Sequence, residues 1–187
     1  MRTSKGSNLI MVYLFLADGF EEVEALCPLD LLRRAGAEVK TVGVTGKYVT
    51  GAHDISVAAD ILPEEMVLDR SLDMIVLPGG MPGTTNLDAS GAVHEAIRYA
   101  HERGITIGAI CAAPMIIGKL GYLSGRSAIC YPGFEKYLVG ANISAKPVVP
   151  MRISSRQRAW ALPHSSDLRS SPPPWVRKRP RKSKNPQ

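Results

Sequence analysis

Cys111 lies in Ala109-Ile110-Cys111-Ala112-Ala113-Pro114, a setting that suits a nucleophile. The apolar stretch Ile105-Thr106-Ile107-Gly108 before it reads as a buried strand, and Met115-Ile116-Ile117-Gly118-Lys119-Leu120 after it reads as a helix. A thiol at a strand-to-helix junction sits where the first free N–H groups of the helix point, and those groups favour a thiolate. The arrangement parallels the nucleophile elbow of serine hydrolases with sulfur in place of oxygen. The competing reading is an inert structural cysteine, since free Cys is among the most buried residue types.

Two other groups have the chemistry to assist. Glu24 stands in Asp18-Gly19-Phe20-Glu21-Glu22-Val23-Glu24-Ala25. Three glutamates in four positions usually form a solvated face, which suits Glu21 and Glu22. The neighbours Val23 and Ala25 point instead to partial burial of Glu24. A buried carboxyl stays protonated more readily and donates a hydrogen bond to a thiolate. A surface glutamate is the alternative. Gly79 and Gly80, in Pro78-Gly79-Gly80-Met81-Pro82-Gly83, are either a plain turn or a loop whose bare backbone lets N–H groups approach a ligand, as an oxyanion hole requires.

The elements that must position these groups alternate. Val12–Leu16 reads as a strand, and Phe20–Ala35 as a helix closed by Gly36 and bent or broken at Pro28. Val39–Val44 is a second strand, Lys47–Val57 a small hairpin around Gly51, and Pro63–Val67 a helical turn. The strand Asp73–Leu77 runs into the glycine loop. Ala92–Arg103 has helical apolar spacing (Val93, Ala96, Ile97, Ala100) and ends at Gly104. The strand Ile105–Ile110, the elbow and its helix follow. Beyond them come a strand Ser127–Cys130, a short helix Phe134–Leu138 and a strand Asn142–Val149. The fold class is therefore α/β: a flavodoxin-like, doubly wound, mostly parallel sheet with helices on both faces. Ligands in such sheets bind beyond the carboxyl ends of the strands, where the start of the first helix, the glycine loop and Cys111 converge.

At 187 residues, 45% hydrophobic and 21% charged, the chain suits one sizeable core and not two. Three cysteines make no disulfide framework, so a reducing, cytoplasmic setting is expected. The apolar run Leu9–Ala17 is too short for a bilayer and is followed at once by Asp18, Glu21, Glu22 and Glu24, so it reads as a first strand, with no membrane association. The net charge of +6 is unevenly spread: residues 1–150 hold 13 Lys+Arg against 16 Asp+Glu, and residues 151–187 hold 10 against one, Asp167.

Four segments in order and spacing, Asp18–Ala25, Asp30-Leu31-Leu32-Arg33-Arg34-Ala35-Gly36, Val76-Leu77-Pro78-Gly79-Gly80 and Ala109–Pro114, resemble the DJ-1/ThiJ/PfpI family, in its DJ-1/ThiJ branch, over about residues 11–149. The resemblance implies that Cys111 is the family's reactive, oxidation-sensitive cysteine and Glu24 the protonated glutamate beside it. It implies that the backbone N–H groups of Gly80 and Ala112 face a bound oxygen, and that Gly79 and Tyr131 line the site. It also implies a cofactor-free, metal-free glyoxalase or deglycase acting on methylglyoxal or its adducts. Alternatives are a non-enzymatic redox sensor or chaperone. The peptidase-like branch has a histidine after the cysteine where this chain has Ala112, and some relatives have a histidine where this chain has Tyr131. A phenol is a poor base near neutral pH. None of the four histidines falls in a catalytic motif; His53, His94 and His101 read as surface residues and His164 as part of the tail. Cys27 and Cys130 read as structural.

After Val149 the pattern stops. Arg152–Ala161 has no clear period, and Ser170–Pro174 with Trp175–Lys184 is proline-rich and basic, as a disordered segment would be. The family continues here with a strand, a Ser-Arg-Gly-Pro-Gly-Thr-like turn and a helix. Writing Gln157–Ala161 as CAG-AGG-GCN-TGG-GCN and shifting one base gives AGA-GGG-CNT-GGG, which encodes Arg-Gly-X-Gly. Residues 150–187 are thus expected to be a frameshifted or disordered tail, the final strand and helix to be missing, and the family's homodimer to be compromised. Residues 1–10 are expected to be an extension ahead of the family's usual start at Met11. The rival reading of the tail is nucleic-acid binding through its basic residues.

Overall fold

The computed structural model describes residues 9–146, 149–154 and 157–162. Six strands form the main sheet in the order β2-β1-β5-β6-β10-β9. These are β1 (Met11–Leu16), β2 (Glu38–Gly43), β5 (Leu72–Leu77), β6 (Thr106–Ile110), β9 (Val149–Ser154) and β10 (Gln157–Leu162). All neighbouring pairs are parallel except β9 with β10. The expected hairpin is present as β3 (Tyr48–Thr50) and β4 (Ser56–Ala58). The helices are α1 (Glu22–Arg34), α2 (Gly83–Asp88), α3 (Gly91–Arg103) and α4 (Pro114–Lys119).

Alternation along β1 sorts its side chains between two cores. Val12, Leu14 and Leu16 pack with Ala25, Leu29 and Leu32 of α1 on one face. Tyr13 and Phe15 join Leu87 of α2, Val93 and Ile97 of α3, and Ile116 and Ile117 of α4 on the other. This is the expected doubly wound α/β sheet with helices on both faces.

Several local expectations are corrected. Pro28 does not break α1: one helix runs through it, and the apolar stripe Ala25, Leu29 and Leu32 outweighs the hydrogen bond that proline cannot donate. Gly83–Asp88 forms a helix that its Gly-Thr-Thr-Asn composition conceals; Gly83 N–H donates to Gly19 O at 3.1 Å and anchors its start. The expected strand Ser127–Cys130 shrinks to β7 (Ser127–Ala128), paired in a separate small sheet with β8 (Asn142–Ile143). The single strand expected over Asn142–Val149 is instead β8 and β9: Ser144 N–H still follows the pairing with β7, on Ala128 O, and beyond it the Ser144 hydroxyl accepts from Lys146 N–H.

The main correction concerns the region after Val149, expected to be patternless and to lack the final strand. β9 and β10 extend the sheet, and β10 pairs Trp160, Ala161 and Leu162 with Gly108, Ala109 and Ile110. Ladder bonds are made by the backbone, so a strand without side-chain alternation can still satisfy the edge that β6 would otherwise expose. The expected missing terminal helix, the disordered basic segment with His164, and residues 1–8 of the N-terminal extension lie outside the described residues. Among the described residues no helix is long and apolar enough to cross a membrane.

Candidate active site

Cys111 occupies the turn between β6 and α4 with φ at +56°, one of two non-glycine residues with positive φ among those described. That conformation costs about 1–2 kcal/mol in a residue with a Cβ and concentrates at functional sites. Tyr131 N–H donates to the Cys111 carbonyl at 2.7 Å and ties the following loop to the elbow. The Tyr131 ring is exposed and meets Phe134 edge-on.

Glu24 is buried, 1% exposed, in the first turn of α1. Its Oε2 accepts the Gly79 N–H at 3.1 Å, and its carboxyl hydrogen-bonds the Cys111 thiol. The reason for its burial differs from the sequence argument, since Val23 is half exposed and only Ala25 is enclosed. Glu21 fixes the helix start: its side chain accepts Glu24 N–H at 2.7 Å as the N-cap, and its own N–H donates to Gly79 O at 3.0 Å. The glycine loop is therefore stitched to α1 from both directions.

Both glycines are required by close approach. A Cβ on Gly79 would overlap Glu24 Oε2 and stand 2.6 Å from Cys111 Cβ. Gly80 has φ of +90°, and a Cβ there would press on Glu21 N and on Gly19 O at 2.7 Å. The Gly80 and Ala112 N–H groups both bond the Cys111 sulfur. Cys111, Glu24, Gly79, Gly80 and Ala112 thus meet at the carboxyl ends of β5 and β6, as the topology requires.

The electrostatics depart from the simple elbow argument. Burial, then the Glu24 carboxylate, push the Cys111 thiol from its ordinary 9.0 up to about 12, against the lowering by the Ala112 and Gly80 amides. With Glu24 ionised, the sulfur keeps its proton.

Glu22, expected on a solvated face, is buried at 6% exposure. It accepts the His53 N–H and faces His53 Nδ1, each at 2.7 Å. Burial pushes the Glu22 carboxyl up, but these bonds outweigh it and hold it below the ordinary range; the same pairing raises His53. His53 is exposed but paired, and His101 is not a simple surface residue, since its ring stacks on Tyr122 at 3.9 Å. A glutamate N-cap is uncommon. Only the Glu21–Glu24 spacing hinted that Glu21 would serve the backbone. Cys130, pushed up to about 11 by burial and then Glu135, packs against the larger core, and Cys27 is half-buried.

A doubly wound sheet carrying a cysteine on a strained elbow, with a buried glutamate and two amides on its sulfur, defines a cysteine-centred α/β protein. The chain belongs to the DJ-1/PfpI family, whose match covers residues 11–153. It is 36% identical over 127 residues to protein dj-1beta of Drosophila melanogaster, covering 67% of each chain. It is 32% identical over 133 residues to a deglycase of Pyrococcus abyssi, covering 71% of this chain and 78% of that one. The fold matches the crystal structure of a DJ-1 superfamily protein from Salmonella typhimurium with a TM-score of 0.75 at 31% identity, covering 83% of this chain and 82% of that one.

Proposed function

We propose that this protein is a cysteine-dependent, cofactor-independent glyoxalase or deglycase acting on methylglyoxal or its adducts in a reducing, cytoplasmic setting. The observation that carries the reading is the shared environment of Cys111 and Glu24, with the Gly80 and Ala112 amides on the sulfur. Deglycase-named relatives support the substrate class.

In the reactive microstate the single proton of the pair is on Glu24, and Cys111 is a thiolate. The sulfur attacks the aldehyde carbon and forms a C–S bond, while the carbonyl oxygen becomes an oxyanion facing the Gly80 and Ala112 amides. Glu24 gives its proton to that oxyanion, and the carboxylate so formed takes the proton from the former aldehyde carbon and delivers it to the adjacent keto carbon through an enediol, so one carbon is oxidised as its neighbour is reduced. Water then cleaves the resulting thioester, releasing lactate and restoring the thiol. Every electron stays within substrate and sulfur, so no redox cofactor enters. Tyr131 borders the elbow and is suited to donating a hydrogen bond, not to accepting a proton. Peptidase chemistry is disfavoured by Ala112 where that branch has histidine.

The test is lactate release from methylglyoxal by the full chain, Cys111→Ser and Glu24→Gln, with intact mass after mild peroxide. Turnover abolished by Cys111→Ser supports the reading. Equal, negligible turnover in wild type and Cys111→Ser, with two oxygens added selectively at Cys111, would replace it with the redox sensor.

A further inference from the structure

We propose that Glu21, Glu22 and His53 form a binding site for one borderline divalent transition-metal ion, with Zn²⁺ as the representative. The three residues come from two elements, the start of α1 and the loop joining β3 to β4, and their donor atoms all lie within 4.8 Å of one another. This is a mixed oxygen–nitrogen set, not a solvated acidic face, because one member is built into the fold. Glu22 is buried, and the His53 N–H at 2.7 Å pins its Oε1. The hairpin backbone is moulded onto that carboxylate: a Cβ on Gly51 would overlap Glu22 Oε1 and stand 2.5 Å from its Cδ. Such an outer bond to a ligating carboxylate orients it.

The other two donors are adjustable. Glu21 uses Oε2 to cap Glu24 N–H, leaving Oε1 to turn toward an ion. The His53 ring is 70% exposed and meets Glu22 Oε2 through Nδ1 at 2.7 Å. A metal placed between these two atoms takes over the role of the proton they share. Zinc–ligand bonds of about 2.0–2.2 Å need tetrahedral donors roughly 3.4 Å apart, so the side chains shift by about an ångström. Two carboxylates neutralise a divalent charge. The imidazole selects Zn²⁺, Co²⁺ or Cu²⁺ over Ca²⁺ and Mg²⁺, and the absence of thiolate from the set disfavours Cu⁺. Water fills the remaining position on the exposed side. The site is separate from Cys111, and the proposal does not depend on the reaction proposed above.

The experiment is calorimetric titration of the full-length chain with Zn²⁺, with Co²⁺ absorbance reporting the ligands and Ca²⁺ as the control. Wild type, Cys111→Ser, Glu21→Gln and His53→Gln are compared. Glu21→Gln keeps an oxygen to cap α1, and His53→Gln keeps the backbone N–H on Glu22, so both should fold; metal-free melting confirms this. The expected result is one Zn²⁺ per chain in wild type and Cys111→Ser, weakened about tenfold or more in each of the other two, with no thiolate-to-cobalt band. Unchanged affinity in Glu21→Gln and His53→Gln overturns the proposal. Loss of binding in Cys111→Ser with a thiolate-to-cobalt band in wild type also overturns it, by placing the ion on the cysteine.

Discussion

The location of the proton shared by Cys111 and Glu24 decides whether the site can react. With Glu24 ionised, the thiol lies at about 12. At pH 7 that leaves a thiolate fraction of about 10⁻⁵, a deficit of about 7 kcal/mol relative to a fully ionised sulfur. Transfer of the proton to Glu24 removes the charge that opposes ionisation and turns the carboxyl into a donor toward sulfur. The expected pH profile of Cys111 alkylation by iodoacetamide, followed by mass spectrometry, therefore has a plateau across neutral pH and a second limb near pH 12. Glu24→Gln should collapse the profile to a single ionisation below 12, since the charge is gone while burial and both amides remain. A wild-type rate that climbs tenfold per pH unit from neutrality to 12, without a plateau, would show the proton resting on sulfur and refute the thiolate mechanism.

Three further outcomes follow from the geometry. Gly79→Ala should cut turnover by about a hundredfold or more while leaving far-ultraviolet circular dichroism intact, because its Cβ would displace Glu24 and Cys111 together. Its stability cost should be about 1–3 kcal/mol, measured by urea denaturation. Cys111→Gly should be inactive yet more stable than Cys111→Ala by about 1 kcal/mol, since glycine relieves the φ of +56°. Burial pushes Asp60 up, but the Thr41 amide and hydroxyl and Arg33 outweigh it and hold the carboxyl below its ordinary 3.8. A carboxyl depressed on folding stabilises the protein above pH 3.8 and loses that contribution as pH falls through the folded value. The melting temperature of Asp60→Asn should therefore lie below wild type near neutrality and converge with it in acid.

The ordered core was largely legible in the sequence, because strands covered on both faces are continuous apolar runs and helices packed on one face carry a 3.6-residue period. Val12–Leu16 is such a run, Ala92–Arg103 has the helical period, and Ser90 and Gly104 close that helix at both ends. What escaped were elements whose composition or residue pattern gives no local signal. The composition of α2 argues against a helix, and β10 pairs with β6 without an alternating pattern. Pro28 carried a local signal that the surrounding packing overrode.

The site divides in the same way. Cys111 at a strand–helix junction, the paired glycines and the acidic start of α1 were visible as residue types at workable spacings. The sequence by itself thus determined the α/β alternation, the position of the elbow and the family resemblance, all of which depend on local pattern. Glu24 was already singled out for the thiol by its neighbours and by the resemblance, but how the fold brings it there, and what becomes of Glu21 and Glu22, only the tertiary structure decided. The α1 register turns Glu24 inward beneath Gly79, uses Glu21 to cap the helix and seals Glu22 against His53. It also reversed the local prediction for the thiol. Two amides favour the anion, but burial and then the Glu24 carboxylate outweigh them, because desolvation and like-charge repulsion arise from chain segments remote in sequence.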